Sequence, residues 1–261
     1  MFSLEFLNRL RLAELRVLSR FFPPQARVLE IGAGTGQQGL QLRQQGFDVQ
    51  MIDIESSNYT QRRLCEITNY NGRDIPFADD EFDVVFSSNV LEHVPDLSYL
   101  HSEIRRVLKK DGFAVHVVPT HIWRIWSIFT ALPVALQRLY AMRAELLPHA
   151  LSHDETKRII AALARAARIM GSAVVQRRHG ERGNIFSELR LFHPSWWRRN
   201  FATNGYRIRR QMPVGIFYTG GMLFGPKLSL ERRERIASLL GSACELFVVE
   251  PDGASDTVNR Q

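Results

Sequence analysis

The 261 residues carry 34 Lys and Arg against 27 Asp and Glu, for a net charge of +7, with 45% hydrophobic residues. That is enough apolar material for one good core with room for an insertion, and it excludes a disordered tail or a small disulfide scaffold. Cys65 and Cys244 lie far apart without metal-ligand spacing, which argues against a zinc site or a disulfide framework and for a reducing, cytoplasmic setting.

Residues 3–22 predict an amphipathic helix with Phe6, Leu10, Ala13, Val17 and Phe21 on one stripe and Pro23-Pro24 as its stop. It reads as a lid or packing helix; Glu5 and the lack of a continuous apolar run leave no secretory signal visible. A strand at 27–31 enters a turn with Gly32, Gly34 and Gly36, which permit positive φ and a close ligand. Gly34, Gly36 and Gly39 also satisfy the dinucleotide pattern G-x-G-x-x-G. Glu30 decides between the two, because a carboxylate there crowds a pyrophosphate and attracts a cation. S-adenosylmethionine, with an ammonium, a sulfonium and no phosphate, meets that requirement.

A helix at 36–45 stops at Gly46, and a strand at 47–53 ends on Asp53. That is about 20 residues past the first glycine, where a doubly wound sheet sets an acid against ribose hydroxyls. The turn Asn71-Gly72-Arg73-Asp74 precedes a strand at 82–87 that delivers Ser88 and Asn89 to the ligand end of a parallel sheet. Asp74 reads as an exposed turn residue. From Asp96 to Lys109 the spacing predicts a helix with Leu97, Leu100, Ile104 and Leu108 inward, Lys109-Lys110 at its negative end and Gly112 as cap. A strand at 113–118 follows. The closing elements come late: a helix near Ser195 stopped by Asn204-Gly205, a strand from Tyr206 to Gln211, and a last strand from Glu245 to Val249.

The expected fold class is α/β: a Rossmann-like, doubly wound, mostly parallel sheet with a helical insertion between the fifth strand and the last two. The expected units are an N-terminal helix (1–24), a core (25–118 and 194–250), an inserted acceptor region (119–193) and a flexible tail (251–261).

Four motifs in order, EIGAGTG, IDI, IPFADDEFDVVFSSNVLEHV and KKDG, resemble the class I S-adenosylmethionine-dependent methyltransferases over roughly residues 25–120. The nearest likeness is to the group that includes the ubiquinone and menaquinone biosynthesis methyltransferases. The resemblance implies that Glu30, Gly32, Gly34 and Gly36 surround the methionine part of the cofactor, while Asp53 and Ile54 hold ribose and adenine. Asn71 stands where the family often has an aspartate that accepts from the adenine amino group; its amide oxygen can accept without charge assistance. Gly72 lets the backbone pass close to the ring, and Ser88 and Asn89 face cofactor or acceptor.

Within 119–193, the apolar run Ile122 to Leu136 is too short to cross a bilayer and is broken by Arg124 and Pro133. It reads either as a buried cap or as an interfacial helix with Trp123 and Trp126 at headgroup level and Arg124, Arg138 and Arg143 nearby. A second helix, opened by Ser152, runs from Asp154 to Met170 with Ile159, Ile160, Leu163, Ala167 and Met170 on its apolar side. Arginine pairs such as Arg177-Arg178, Arg198-Arg199 and Arg209-Arg210 favour an anionic partner. Segments His179 to Asn184 and Gly215 to Gly221 are loosely similar to bacterial methyltransferases of surface-polysaccharide and lipid-linked sugar assembly.

Methyl transfer needs alignment and, for a hydroxyl acceptor, loss of a proton. His93 is the first candidate base, with His121 and His179 behind it and Tyr218 as a possible orienting hydroxyl. The expected function is O-methylation of a glycan or lipid-linked sugar by a cytoplasmic or membrane-peripheral enzyme. The alternatives are a small aromatic or quinone-like acceptor, RNA, for which no binding module is visible, and a non-catalytic cofactor-binding partner module.

Overall fold

The computed structural model describes residues 4–142 and 153–253. The first helix, α1 (Leu4–Leu18), leads to β1 (Arg27–Ile31), α2 (Gln37–Gln44), β2 (Asp48–Ile54), β3 (Thr68–Tyr70) and β4 (Phe82–Ser88). Then come α3 (Leu97–Val107), β5 (Leu108–Pro119), α4 (His121–Phe129), α5 (Ala131–Ala141), α6 (His153–Val174), α7 (Ser187–Leu191) and α8 (Pro194–Thr203). The chain closes with β6 (Tyr206–Pro213), α9 (Leu230–Leu240) and β7 (Cys244–Pro251).

The seven strands form one sheet in the order β3-β2-β1-β4-β5-β7-β6. The five strands β1 to β5 pair in parallel, and β7 lies antiparallel between β5 and β6. Parallel strands covered on both faces need apolar side chains both up and down. Val28, Val84, Phe86, Val115 and Val117 accordingly pack on one face with α1 and Leu42 of α2. Leu29, Ile31, Val85, Ala114 and Val118 pack on the other with α3 and α8.

Three local expectations change. Helix α1 buries Phe6, Leu7, Leu10, Ala13, Glu14, Leu15 and Leu18, whereas Val17 and Phe21 are half-buried. Its contact face is wider than one stripe because the helix meets both α2 and the sheet face. Helix α3 ends at Val107, since Leu108 turns extended and pairs with Phe82 in the sheet. Lys109 therefore serves Asp83, at 2.8 Å, and not a helix end. Gly112 is not a cap either: a Cβ there would lie 3.0 Å from the Phe82 carbonyl oxygen, beside the register shift in β4. The short edge strand β3 escaped the sequence reading because three residues carry no periodicity.

Between β5 and α8 the chain builds a helical cap. Trp123 is buried against His179 and Phe192, and the half-buried Trp126 donates its indole N–H to the Leu240 carbonyl at 3.1 Å. Arg124 is buried too, with Nε 3.0 Å from Oε2 of the fully buried Glu188. The tryptophans thus face inward, which corrects the interfacial placement: the cap needs them to fill its own core. Helix α6 turns Ala162 inward, flanked by Ile159, Ala166 and Ile169, and leaves Ile160 and Leu163 exposed. That rotates the expected stripe, because a small residue lets α5 approach. Ser152, Arg143 and the tail beyond Gly253 lie outside the described residues. No helix of the described residues is long and apolar enough to cross a membrane.

Replacing Arg124 with Met strands the buried Glu188 carboxylate. We expect urea denaturation to show a stability loss of about 3–5 kcal/mol, the range for removing one partner of a buried pair.

Candidate functional site

A cavity of about 1020 Å³ opens beyond the carboxyl ends of β1, β2 and β4 and is roofed by Leu7, Asn8 and Arg11 of α1. Its floor is the glycine turn after β1. Gly32 and Gly34 have φ of +72° and +57°, and a Cβ on Gly32 would meet Val90 at 2.4 Å. The amides of Gly32 and Ala33 donate to the Ile52 carbonyl at 2.9 and 3.1 Å. Asp53, at the end of β2, accepts from the Gly34 amide at 3.0 Å and from the Ile54 amide at 2.8 Å.

Of the residues singled out in the sequence, Gly32, Gly34, Asp53, Ile54, Asn71, Gly72, Ser88, Asn89 and His93 line this cavity. Glu30 and Gly36 are not part of the lining. Glu30 is buried beneath the turn beside Gly39, where burial raises its carboxyl to about 8 against the pull of the Gly39 amide and Arg43. Its sequence-expected place beside the methionine part gives way to packing under the turn. Gly36, with φ of +79°, opens α2, and a Cβ there would sit 2.7 Å from Cys65 Sγ. Asn71 uses its amide oxygen to accept from Arg73 and Asp74 amides at 2.9 and 2.8 Å. That oxygen closes the turn, so the expected adenine acceptor is already engaged. Asp74 is exposed and accepts from Tyr99 Oη at 2.6 Å.

Several lining groups were missed. Tyr59 lies over Gly34, Tyr70 stands on β3, and Glu181 arrives from the cap. Only Tyr70, next to Asn71, could have been flagged by its position. Arg11 and Glu14 had a readable signal in charge on an otherwise apolar helix. Glu14 is fully buried; it accepts from Arg11 Nη1 at 2.6 Å, Tyr218 Oη at 2.8 Å and Ser88 Oγ at 3.3 Å. Cys244 Sγ continues the seam, 2.9 Å from Tyr218 Oη and 3.3 Å from Asn89 Oδ1. Burial holds the Tyr218 and Cys244 protons on, while Glu14 and Tyr218 help to raise Arg11 above its ordinary value against the cost of burial. Tyr218 joins this seam and is not among the cavity-lining residues.

Glu92 and His93 follow β4, and the cap brings His179 to them, with the two imidazole centroids 4.8 Å apart. Burial lowers His93 and takes His179 to about 3, so both rings are neutral near pH 7. His121 lies elsewhere, against His193 at 4.5 Å. Behind His179 is a second recess, of about 280 Å³, lined by Trp123, Arg124, Arg138, Arg177 and Arg178 among others.

The Glu30 carboxyl has a thermodynamic consequence. Its folded pKa of about 8 lies above the ordinary 4.5. The folded state then keeps a proton that the unfolded chain releases, and stability from this group falls as pH rises through that window. Glu30→Gln, which still accepts from Gly39, should show a melting temperature that falls less than the wild type's between pH 5 and pH 8.

The methyltransferase domain family matches residues 29–116. An uncharacterised protein of Methanocaldococcus jannaschii is 33% identical over 103 residues, 38% of this chain and 47% of that protein. A glycine/sarcosine/dimethylglycine N-methyltransferase of Actinopolyspora halophila is 33% identical over 107 residues, 37% of this chain and 19% of that enzyme. The chain thus spans about half or less of the curated relatives it matches. An S-adenosylmethionine-dependent methyltransferase of Mesorhizobium loti shares the fold at a TM-score of 0.51 and 15% identity, over 91% of this chain and 96% of that one. Residues 29–116 are thus a methyltransferase domain, and the chain as a whole has the fold of the class I S-adenosylmethionine-dependent methyltransferases; the quinone-biosynthesis group is not specifically shown.

Proposed function

We propose that the chain transfers the methyl group of S-adenosylmethionine to a hydroxyl oxygen of a glycan or lipid-linked sugar. The observation that carries this reading is a single cavity with the glycine turn and Asp53 at one end and neutral His93 at the other. In this reading Asp53 offers its remaining lone pairs to the ribose hydroxyls, Ile54 and Gly72 flank the adenine, and Gly32 and Gly34 leave space for the methionine part. The acceptor enters from the cap side. Arg138, Arg177 and Arg178 in the second recess suit a phosphate on such an acceptor, since guanidinium forks match it bidentately.

The sulfonium supplies the leaving group, so the protein has to align the acceptor oxygen in line with the methyl carbon. The oxygen–carbon bond forms as the carbon–sulfur bond breaks, and the acceptor proton leaves at the His93 wall. A second reading, a small aromatic acceptor, draws support from Trp123, which lines the second recess with its ring 4.6 Å from His179. For a lipid-linked acceptor, membrane contact would fall to the exposed Phe129, Leu132, Leu136 and Tyr140 and not to the tryptophans.

Calorimetry should show binding of S-adenosylmethionine and S-adenosylhomocysteine and none of NAD; NAD binding alone would overturn the reading. Incubation with methyl-labelled cofactor and cell extract should then place label in lipid or polysaccharide. Label in small aromatic molecules would favour the second reading. For Asp53→Ala we expect about five- to hundredfold weaker cofactor binding, from the loss of charge-assisted contacts worth roughly 1–3 kcal/mol. His93→Ala should lower turnover about 10²–10⁴-fold with cofactor affinity nearly intact. Turnover and calorimetry on the same preparation separate the two effects.

A further inference from the structure

We propose that Glu92, His93 and His179 form a binding site for a divalent transition-metal ion between the cavity, which His93 lines, and the second recess, which His179 lines. The Nε2 atoms of both histidines lie 3.8 Å from Glu92 Oε1. The three candidate ligand atoms all lie within 4.8 Å of one another. Ligands held about 2.1 Å from one ion in tetrahedral geometry stand about 3.4 Å apart, so a contraction of about 0.4 Å on the two Glu92 contacts and of up to about 1.4 Å between the imidazoles closes the set.

Glu92 is the independent pointer to a ligand. Its side chain is completely buried, and neither oxygen has a hydrogen-bond partner of good geometry among the described residues. An ionised carboxylate in that condition is costly, so Glu92 keeps its proton unless a cation meets it. Arg11 and Arg182 are the cations whose charge acts on it, and both are engaged elsewhere: Arg11 with Glu14 at 2.6 Å, and Arg182 with the Leu91 and Val94 carbonyls. Both half-exposed imidazoles lie toward the same oxygen from the solvent side.

The cap is built to bring His179 there. The Glu181 amide donates to the Glu92 carbonyl at 2.9 Å, and a Cβ on Gly180 would strike that same oxygen at 2.7 Å. Glu188 accepts from the His179 and Gly180 amides and so fixes this backbone. Two elements distant in sequence, the turn after β4 and the cap, therefore meet at one carboxylate.

One carboxylate and two imidazoles suit Zn²⁺, Mn²⁺, Fe²⁺ or Co²⁺ and leave coordination positions open. An acceptor hydroxyl taking one of them would be acidified. Its proton passes to water, the alkoxide oxygen bonds to the methyl carbon, and the sulfonium becomes a neutral thioether. This catalytic part rests on the methyl-transfer reading; the binding site itself does not. It also recasts His93 as a ligand in place of the proton acceptor of the proposed function, so that the loss of turnover expected for His93→Ala would come from loss of the ion.

The test uses the full chain, stripped with EDTA and titrated with Mn²⁺ or Zn²⁺ by calorimetry, with metal content counted by plasma mass spectrometry. We expect one ion per chain, and Co²⁺ should give the visible absorption bands of a low-symmetry nitrogen-and-oxygen site. His179→Ala and Glu92→Gln should each weaken binding more than about 100-fold, since even loss of an outer-shell partner costs 10–100-fold. Circular dichroism and a cooperative thermal melt report that each variant is folded, and His179→Ala carries the test if Glu92→Gln fails that check. Undiminished binding in a folded variant, or no binding by the wild type, overturns the proposal. Metal bound by a chain that ignores S-adenosylmethionine would instead leave the site standing and remove the methyl-transfer reading.

Discussion

The pair of hydrogen bonds that the Asp53 carboxylate accepts from the Gly34 and Ile54 amides is the constraint on which the cavity depends. It ties the end of β2 to the turn after β1, and that turn has left-handed backbone at Gly32, Gly34 and Gly36. Such a turn keeps several amide groups pointing outward and must be held by something other than its own side chains. The Ile52 carbonyl and the Asp53 carboxylate do this from the neighbouring strand. The register of β1 against β2, with Ile31 opposite Ile52, is what brings them into range.

Above that floor, the roof is attached by charge and not by apolar packing alone. Glu14 lies on the buried face of α1, yet it gathers a guanidinium and two hydroxyls, and through Tyr218 and Cys244 it reaches the far end of the sheet. Burying a carboxylate is costly unless every lone pair is answered. This seam answers it with donors from α1, β4 and the loop after β6, so the helix can dock in only one rotation. Arg11 reaches the cavity as a by-product of that docking.

The cap follows the same logic. Arg124 and Glu188 are both buried, and the Glu188 carboxylate also receives the amides that set the backbone at His179. One buried pair thus fixes where the histidine stands relative to Glu92. By contrast, the outer faces of α4, α5 and α6 keep Phe129, Leu132, Leu136 and Leu163 exposed, so the cap is specified on its inner side and loosely constrained outside.

Much of this was legible in the chain itself. Strands at 27–31, 47–53, 82–87 and 113–118 alternating with helical segments announced a parallel sheet, because parallel neighbours need a long crossover connection, usually a helix. The glycine turn, Asp53, Ser88, Asn89 and His93 could be placed at one sheet edge, since strand ends in such a fold converge there. The sequence could not say that Glu30 points under the turn, that Asn71 spends its oxygen on its own loop, or that the tryptophans face inward. Those outcomes depend on which face of an element meets a neighbour, and a one-residue rotation of α6 or an early end to α3 leaves local propensity almost unchanged. The meeting of Glu92 with His179 is the extreme case: they stand 87 positions apart in the chain, and only the docking of the cap on the turn after β4 brings them together.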